Sequence, residues 1–308
     1  MSLAGKQAIL VTGADLAKQA LALLGGYEVV YAGKAPTEDD LVALCERWDP
    51  VAIIVRYGRI GERVIAAAPS LKVISKHGSG TDTIDKVAAA KRRIQIAAAA
   101  GANAAAVAEQ ALALMLACAK SVVHLDARMR AGHWDKPTHK SLELAGRTLG
   151  LVGLGAIGLR MARMAHAMEM NVIGFDPYAS NMPAYIRAVD LEAIWTDSEV
   201  ISLHCPLTQE NAGFVNAHAL ARCRRGVMLV NTARGGLIDE AALLAALHSG
   251  QVAAAGLDTF ESEPLGPGNP FVAEENLVLS PHIGGITSDA YVNMGVAAVK
   301  NALAALVG

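Results

Sequence analysis

The stretch from Thr148 to Asp176, T-L-G-L-V-G-L-G-A-I-G-L-R-M-A-R-M-A-H-A-M-E-M-N-V-I-G-F-D, restricts what this chain can fold into more than any other. It runs from an apolar segment through Gly153, Gly155 and Gly158, spaced G-x-G-x-x-G, to a segment with Ile157, Met161, Met164 and Met168 at helical spacing. A second apolar run and an acid complete it, so the order reads strand, turn, helix, strand. The first glycine permits a tight turn, the second lets backbone approach a pyrophosphate, and the third lets helix and strand pack closely. The helix N-terminus adds N–H groups for an anion. A lone G-x-G-x-x-G is weak evidence; here every neighbouring element stands at its proper offset. The segment is expected to bind a dinucleotide through Gly153, Gly155, Ala156, Ile157 and Gly158. Asp176 lies 18 residues after Gly158, where a carboxylate accepts ribose hydroxyls and repels a 2′-phosphate, so NAD is favoured over NADP.

At 308 residues the chain exceeds the size at which single cores stop growing, and a motif beginning near residue 148 leaves room for another domain upstream. The net charge is −2 and the basic residues are scattered, which gives no nucleic-acid or membrane surface and points to a small-molecule partner. Cys45, Cys118, Cys205 and Cys223 lie far apart with no zinc-like spacing, as expected of reduced thiols in the cytoplasm, with no disulfide and no metal. The N-terminus lacks a charged segment leading into an apolar core and cleavage site, so no signal peptide is expected. The Ala-rich run from Ile96 to Ala119 comes nearest to a membrane span, but Asn103, Glu109 and Gln110 interrupt it.

From Lys6 to Ala98, strands are expected at Ala8–Val11, Glu28–Tyr31, Val51–Val55, Lys72–Ser75 and Ile94–Ala97, alternating with helical segments. Such alternation implies a parallel sheet covered by helices. I-L-V-T-G-A-D at the start has no further phosphate-loop glycines and reads as an ordinary strand-to-helix turn. S-K-H-G-S-G-T-D-T-I-D, Ser75 to Asp85, follows a strand with small residues whose N–H groups suit a carboxylate. A helix is expected from Asn103 to Lys120, continuing toward Arg130, apolar around most of its circumference and hence read as a subunit interface. After Asp176, strands at Val200–His204, Val227–Asn231, Val252–Asp258 and Leu277–Ser280 bring the second sheet to six. The tail from Tyr291 to Val307 reads as a helix crossing back to the first domain. The crossings near Ala99–Ala102 and Gly284–Thr287 contain glycine and read as hinges of a closing cleft.

Three polar residues follow successive strand ends: Arg234 in N-T-A-R-G-G-L-I-D-E, Glu263 in D-T-F-E-S-E-P and His282 in S-P-H-I-G-G. Beside a nicotinamide these are what reduction of a 2-oxo acid needs. Arg offers a fork of donors to a carboxylate and a developing alkoxide. His delivers a proton, and Glu orients the imidazole and favours its protonated form.

The chain also resembles the D-isomer-specific 2-hydroxyacid dehydrogenases through G-L-G-A-I-G with F-D-P-Y, L-H-C-P-L-T, N-T-A-R-G-G-L-I-D, G-L-D-T-F-E-S-E-P and S-P-H-I-G-G-I-T. The resemblance implies an α/β protein of two doubly wound parallel-sheet domains: a flavodoxin-like substrate domain, residues 1–99 and 286–308, and an inserted Rossmann NAD-binding domain, residues 100–285. It implies an NAD-dependent oxidoreductase acting on a 2-hydroxy or 2-oxo acid of the 3-phosphoglycerate, hydroxypyruvate or glyoxylate class, and a homodimer formed through the region of the apolar helix. Arg234 would bind substrate, His282 would be the acid/base and Glu263 its partner. Thr232, Ala233, Asp258 and Gly284 would lie toward the nicotinamide, His204, Cys205 and Pro206 toward the adenosine. Ser79 and Gly80 would give N–H groups to the substrate carboxylate.

Arg56, in I-I-V-R-Y-G-R-I, fits the family's substrate-facing arginine, although the residues after it run one shorter and leave Arg59 unplaced. Arg56, Arg59 and the lack of an aromatic wall favour a small acid, phosphorylated forms included. The chain ends soon after His282, so no serine-type feedback domain is expected. Glu263 speaks against formate oxidation, whose catalysts resemble this architecture with an amide beside the histidine. The remaining alternative is a non-enzymatic NAD(H)-sensing protein similar to the C-terminal-binding corepressors.

Overall fold

A computed structural model describes residues 5–307; residues 1–4, part of the stretch read as lacking a leader, lie outside it. The chain forms two compact units, one from Ala104–Gly284 and the other from the residues on either side.

The outer unit begins with β1 (Ala8–Val11), α1 (Lys18–Leu21), β2 (Glu28–Tyr31), α2 (Glu38–Trp48), β3 (Ala52–Val55), α3 (Glu62–Ala66), β4 (Val73–Lys76), α4 (Lys86–Lys91) and β5 (Gln95–Ala98). The strands pair in parallel in the order β2-β1-β3-β4-β5, the flavodoxin-like order. β1 and β3 are buried along their whole length, which explains why A-I-L-V and A-I-I-V are continuous apolar runs rather than alternating ones. The C-terminal helix, Ser288–Val307, buries Ala290, Met294, Gly295, Ala298, Val299 and Ala302 in this unit, against β3, β4, β5 and α1. Ser75 Oγ donates to the Ala298 carbonyl (2.8 Å) and Asn301 Nδ2 to that of Ala98 (2.9 Å). By length and composition this helix, not the Ala-rich run alone, has the apolar character of a membrane span, yet its apolar face lies in the core.

The inner unit contains α5 (Ala104–Lys120), α6 (Val122–Arg130), β6 (Thr148–Val152), α7 (Ala156–Ala167), β7 (Asn171–Phe175), β8 (Ile186–Ala188), α8 (Leu191–Asp197), β9 (Val200–Leu203), α9 (Ala217–Arg222), β10 (Val227–Asn231), α10 (Glu240–His248), β11 (Val252–Leu257) and β12 (Leu277–Leu279). Its sheet runs β12-β11-β10-β9-β6-β7-β8, all parallel. There are seven strands, not the six expected. β8 adds an edge strand of three residues, with only Ile186 buried, too short to carry a periodic signal.

The long apolar helix also differs from expectation. It breaks at Ser121, whose φ of 50° is left-handed, and α6 leaves at 59° to α5. α5 buries nine residues, among them Ala108, Ala111, Leu114 and Met115. It packs on α7, β10 and β11, and Gly256 lets it come close: a Cβ there would stand 2.8 Å from Leu114 Cβ. Part of the apolarity of α5 is thus used within its own unit. On α7 the buried line is Gly158, Met161, Ala162 and Ala165, with Ile157, Met164 and Met168 half-buried beside it.

Met115 is fully buried on the inner face of α5. Met115→Ala is expected to cost about 2–5 kcal/mol in urea unfolding. Because the contact lies within the unit, the loss should be the same at every protein concentration.

Candidate active site

The glycine turn is built by backbone contact. Gly153 has a φ of +95°, and a Cβ there would meet Cys205 N and His204 C, both at 2.7 Å. A Cβ on Gly158 would sit 2.0 Å from the Gly153 carbonyl oxygen. Gly155, the N-cap of α7, has nothing within 4 Å of where its Cβ would be, and no side chain caps the helix. An open cradle beneath unpaired N–H groups, contributed by Ala156, Ile157 and Gly158, is what a pyrophosphate requires. Asp176 ends β7 and turns back onto this loop: Oδ2 accepts from Leu154 N and Oδ1 from Tyr178 N, each at 2.8 Å. Each oxygen keeps a further acceptor site for a ribose hydroxyl.

His204, Cys205 and Pro206 follow β9. The His204 Nε2 shares a 2.9 Å hydrogen bond with Ser202 Oγ, while Nδ1 is buried without a partner. Burial pushes its pKa down to about 4, so the ring is neutral near pH 7. Burial pushes the Cys205 thiol up to about 11, which leaves it protonated and a poor nucleophile. Pro206 O accepts from Asn211 Nδ2 at 2.7 Å.

At the end of β10, Asn231 is fully buried and fixes the turn that carries Arg234. Its Oδ1 accepts from Ala233 N (3.0 Å) and its Nδ2 donates to the Arg234 carbonyl (2.9 Å). Arg234 Nη1 donates to the Ala233 carbonyl at 2.7 Å. The next residue must be glycine, since a Cβ on Gly235 would lie 1.8 Å from Phe260 C. Thr232 Oγ1 is buried without a partner, an orphaned polar atom at the edge assigned to the nicotinamide.

Glu263 and His282 meet. Nδ1 of His282 lies 2.7 Å from Glu263 Oε2, and Glu263 Oε1 accepts from Phe260 N at 3.0 Å. With Nδ1–H directed at the carboxylate, Nε2 is the ring atom that can exchange a proton with a ligand, and it has no partner among the described residues. His282 adopts a φ of +53°, unusual for a side chain this large. Asp258, only 1% exposed, holds this loop: Oδ1 accepts from Ser280 Oγ (2.5 Å) and Ile283 N (3.0 Å), and Oδ2 from Gly284 N (2.8 Å). Gln110 Nε2 donates to Ser280 Oγ at 3.1 Å. The family resemblance puts Asp258 against the nicotinamide, and its carboxylate also holds the loop of His282. Asn231 and Ser280 open the quoted motifs without standing out as supports, and Gln110 carries no local sequence signal.

In the outer unit the loop after β4 carries Ser79 and Gly80. Ser79 Oγ donates to Asn103 Oδ1 at 3.1 Å, and Gly78 has a φ of +144°. Arg56 leaves the end of β3, where Tyr57 and Tyr291 supply the aromatic surroundings not visible in the sequence: their ring centroids lie 5.2 and 5.0 Å from its guanidinium carbon. Among the described residues no cluster of His, Cys, Asp and Glu has metal-binding geometry.

Residues 112–284 match the family described as "D-isomer specific 2-hydroxyacid dehydrogenase, NAD binding domain". A D-3-phosphoglycerate dehydrogenase of Archaeoglobus fulgidus is 40% identical over 249 residues, 80% of this chain and 47% of the relative. A hydroxypyruvate reductase of Thermotoga maritima is 38% identical over 267 residues, 85% of this chain and 86% of the relative. The chain therefore spans about half the length of some curated relatives and most of others. A solved structure from Thermus thermophilus superposes with a TM-score of 0.90 at 37% identity, covering 98% of this chain and 97% of that one.

The glycines make a paired test. Gly155→Val fills open space, so it should change stability by less than about 1 kcal/mol while raising the NADH dissociation constant at least about tenfold in a fluorescence titration. Gly158→Ala meets a carbonyl and should cost roughly 1–3 kcal/mol in denaturant unfolding.

Proposed function

The chain belongs to the D-isomer-specific 2-hydroxyacid dehydrogenase family, and from that premise we propose that it interconverts a small 2-oxo acid and its D-2-hydroxy acid with NAD(H). The observation that carries this reading is the Glu263–His282 pair, joined at 2.7 Å with Nε2 left for a ligand, on the same edge as Arg234 and the glycine turn.

NAD would rest on Gly153, Gly155, Ala156, Ile157 and Gly158, with Asp176 at its ribose and Thr232 and Ala233 on the nicotinamide side; Gly155's open cradle, the uncapped α7 and the orphaned Thr232 hydroxyl all fit it. When bound, it supplies the hydride donor or acceptor. Arg234 presents a rigid donor fork to the substrate carboxylate and the carbonyl oxygen. By the family resemblance Ser79 and Gly80 would offer backbone N–H groups to the carboxylate, and Arg56 would be the substrate-facing arginine. His282 passes the Nε2 proton to the carbonyl oxygen during reduction and takes it back during oxidation. Glu263, anchored by Phe260 N, holds the ring in the tautomer that leaves Nε2 for this exchange. Asp258 sets the height of the ring by holding the loop.

The same reading makes the protein a homodimer joined through the region of the apolar helix, α5 and α6, near whose end Val122, Val123, Met129 and Trp134 are more than half exposed, a patch that a second copy would cover. It also places the protein in the cytoplasm, in keeping with four free cysteines.

His282→Ala and Arg234→Ala are each expected to lower kcat/KM by roughly 10²–10⁴, with NADH affinity little changed. The measurement is NADH oxidation over glyoxylate, hydroxypyruvate and 3-phosphohydroxypyruvate. Undiminished turnover in either variant would refute the assignment, and a wild-type protein that binds NADH and reduces none of these acids would be a sensor rather than an enzyme.

A further inference from the structure

Along the carboxyl edge of the outer sheet, β1, β3 and β4 lie side by side, and the segments that leave them converge on Arg56. Thr12 fixes its backbone. The Thr12 hydroxyl donates to the Tyr57 carbonyl (2.6 Å) and accepts from Arg56 N (3.0 Å) and Tyr57 N (3.2 Å). Gly13 makes room for the side chain, since a Cβ there would stand 3.0 Å from Arg56 Cδ. Arg56 Nη1 donates to the Asp15 carbonyl at 2.7 Å and also to the Asp15 carboxylate. The T-G-A-D turn after β1 is therefore a socket for an arginine.

The charges around this socket decide what it can receive. The Arg56 side chain is 12% exposed and that of Asp15 69%, so the carboxylate stands at the solvent side of a mostly enclosed guanidinium. Hydrogen bonding to Arg56, aided by Tyr291, holds the Asp15 carboxyl below the usual carboxylate range and keeps it ionised near neutral pH. Burial, with Arg56 close by, pushes the pKa of His77 down to about 4, so that ring adds no cation. Lys76 Nζ donates to the Arg56 carbonyl at 3.3 Å and remains a cation behind the pair, and Arg59 is exposed. Nε and Nη2 of Arg56 have no hydrogen-bond partner among the described residues.

We propose that Asp15 is a specificity-determining residue, which by pairing with Arg56 makes the site select an unphosphorylated 2-oxo acid over a phosphorylated one. This rests on the proposed function, which turns Arg56 toward the substrate. An anion approaching the pair meets the push of the more exposed carboxylate along with the pull of the enclosed guanidinium, and the one offsets much of the other. A phosphate, with close to two negative charges, loses most of what a bare arginine would offer. Nε and Nη2 remain donors for a neutral group, so a hydroxyl or a small C3 substituent is accepted. Selection against the wrong ligand by a fixed like charge is a general route to specificity. The sequence favours a phosphorylated acid as readily because Arg56 and Arg59 are visible there and the contact with Asp15, 41 residues away, is not.

The test is kcat/KM for hydroxypyruvate, glyoxylate and 3-phosphohydroxypyruvate in the wild type, Asp15→Asn and Asp15→Glu. The wild type should favour hydroxypyruvate over its phosphorylated form by at least about tenfold. Asp15→Asn should raise the phosphorylated-to-unphosphorylated ratio by about 10–100-fold, through a lower KM for the phosphorylated acid, as expected for one charge removed at close range. Asp15→Glu, which restores the charge, should return the ratio toward that of the wild type. The proposal is overturned if the wild type prefers the phosphorylated acid, if Asp15→Asn reduces the unphosphorylated acids with an unchanged ratio, or if Asp15→Asn binds NADH and reduces nothing. A wild-type protein that reduces none of the three acids refutes the proposed function itself, and this inference with it, which separates the two failures.

Discussion

Parallel pairing is the constraint on which everything else in the molecule depends. Strands that all run the same way must be joined by crossovers, so every carboxyl end falls on one edge of its sheet and every loop that leaves it starts there. In the inner unit that edge receives Gly153 from β6, Asp176 from β7, His204 from β9, Arg234 from β10, Asp258 from β11 and His282 from the turn after β12. In the outer unit it receives Asp15, Arg56 and the Ser79 loop from β1, β3 and β4. No side chain has to be carried far to reach its neighbours. The strand order alone makes residues of distant sequence number adjacent.

With the loops gathered on one edge, the remaining problem is to bring backbones close enough without a clash. Gly153, Gly158 and Gly235 solve it, each at a point where a single Cβ would overlap main-chain atoms. Buried side chains then pair the backbone groups of these loops. Asn231 satisfies both ends of the Arg234 turn, and Asp258 accepts three hydrogen bonds that hold His282 in a backbone conformation it would not adopt freely. Position is achieved by backbone hydrogen bonds to buried side chains, and chemistry is left to groups whose functional atoms stay unpartnered, such as His282 Nε2.

Much of this is legible without coordinates. β1, β2 and β10 fall at the residues their apolar patterns mark, because apolar runs between turn residues have few other places to go. What escapes reading is short, or set by a conformation the pattern does not encode. β8 pairs through three residues of which only Ile186 is buried. The break at Ser121 interrupts an unbroken helical pattern by a left-handed residue. α5 is apolar around most of its circumference, and the sequence does not show that alanines let nine of its residues sink against its own unit, with Gly256 opening the space beneath Leu114.

The dinucleotide turn, the acid after β7 and the candidate set of Arg234, Glu263 and His282 are all readable along the chain, since each sits in a motif whose residues interact within a few positions of one another. What surrounds them is set by contacts made on folding. That Asp258 serves the His282 loop, that Gln110 braces Ser280, and that Arg56 is enclosed by Tyr57 and Tyr291 and neutralised by Asp15 are contacts between elements far apart in the chain. Local spacing records which groups are available for chemistry. The net charge that a substrate meets depends on which of those groups the fold sets against each other, and no spacing along one strand carries that information.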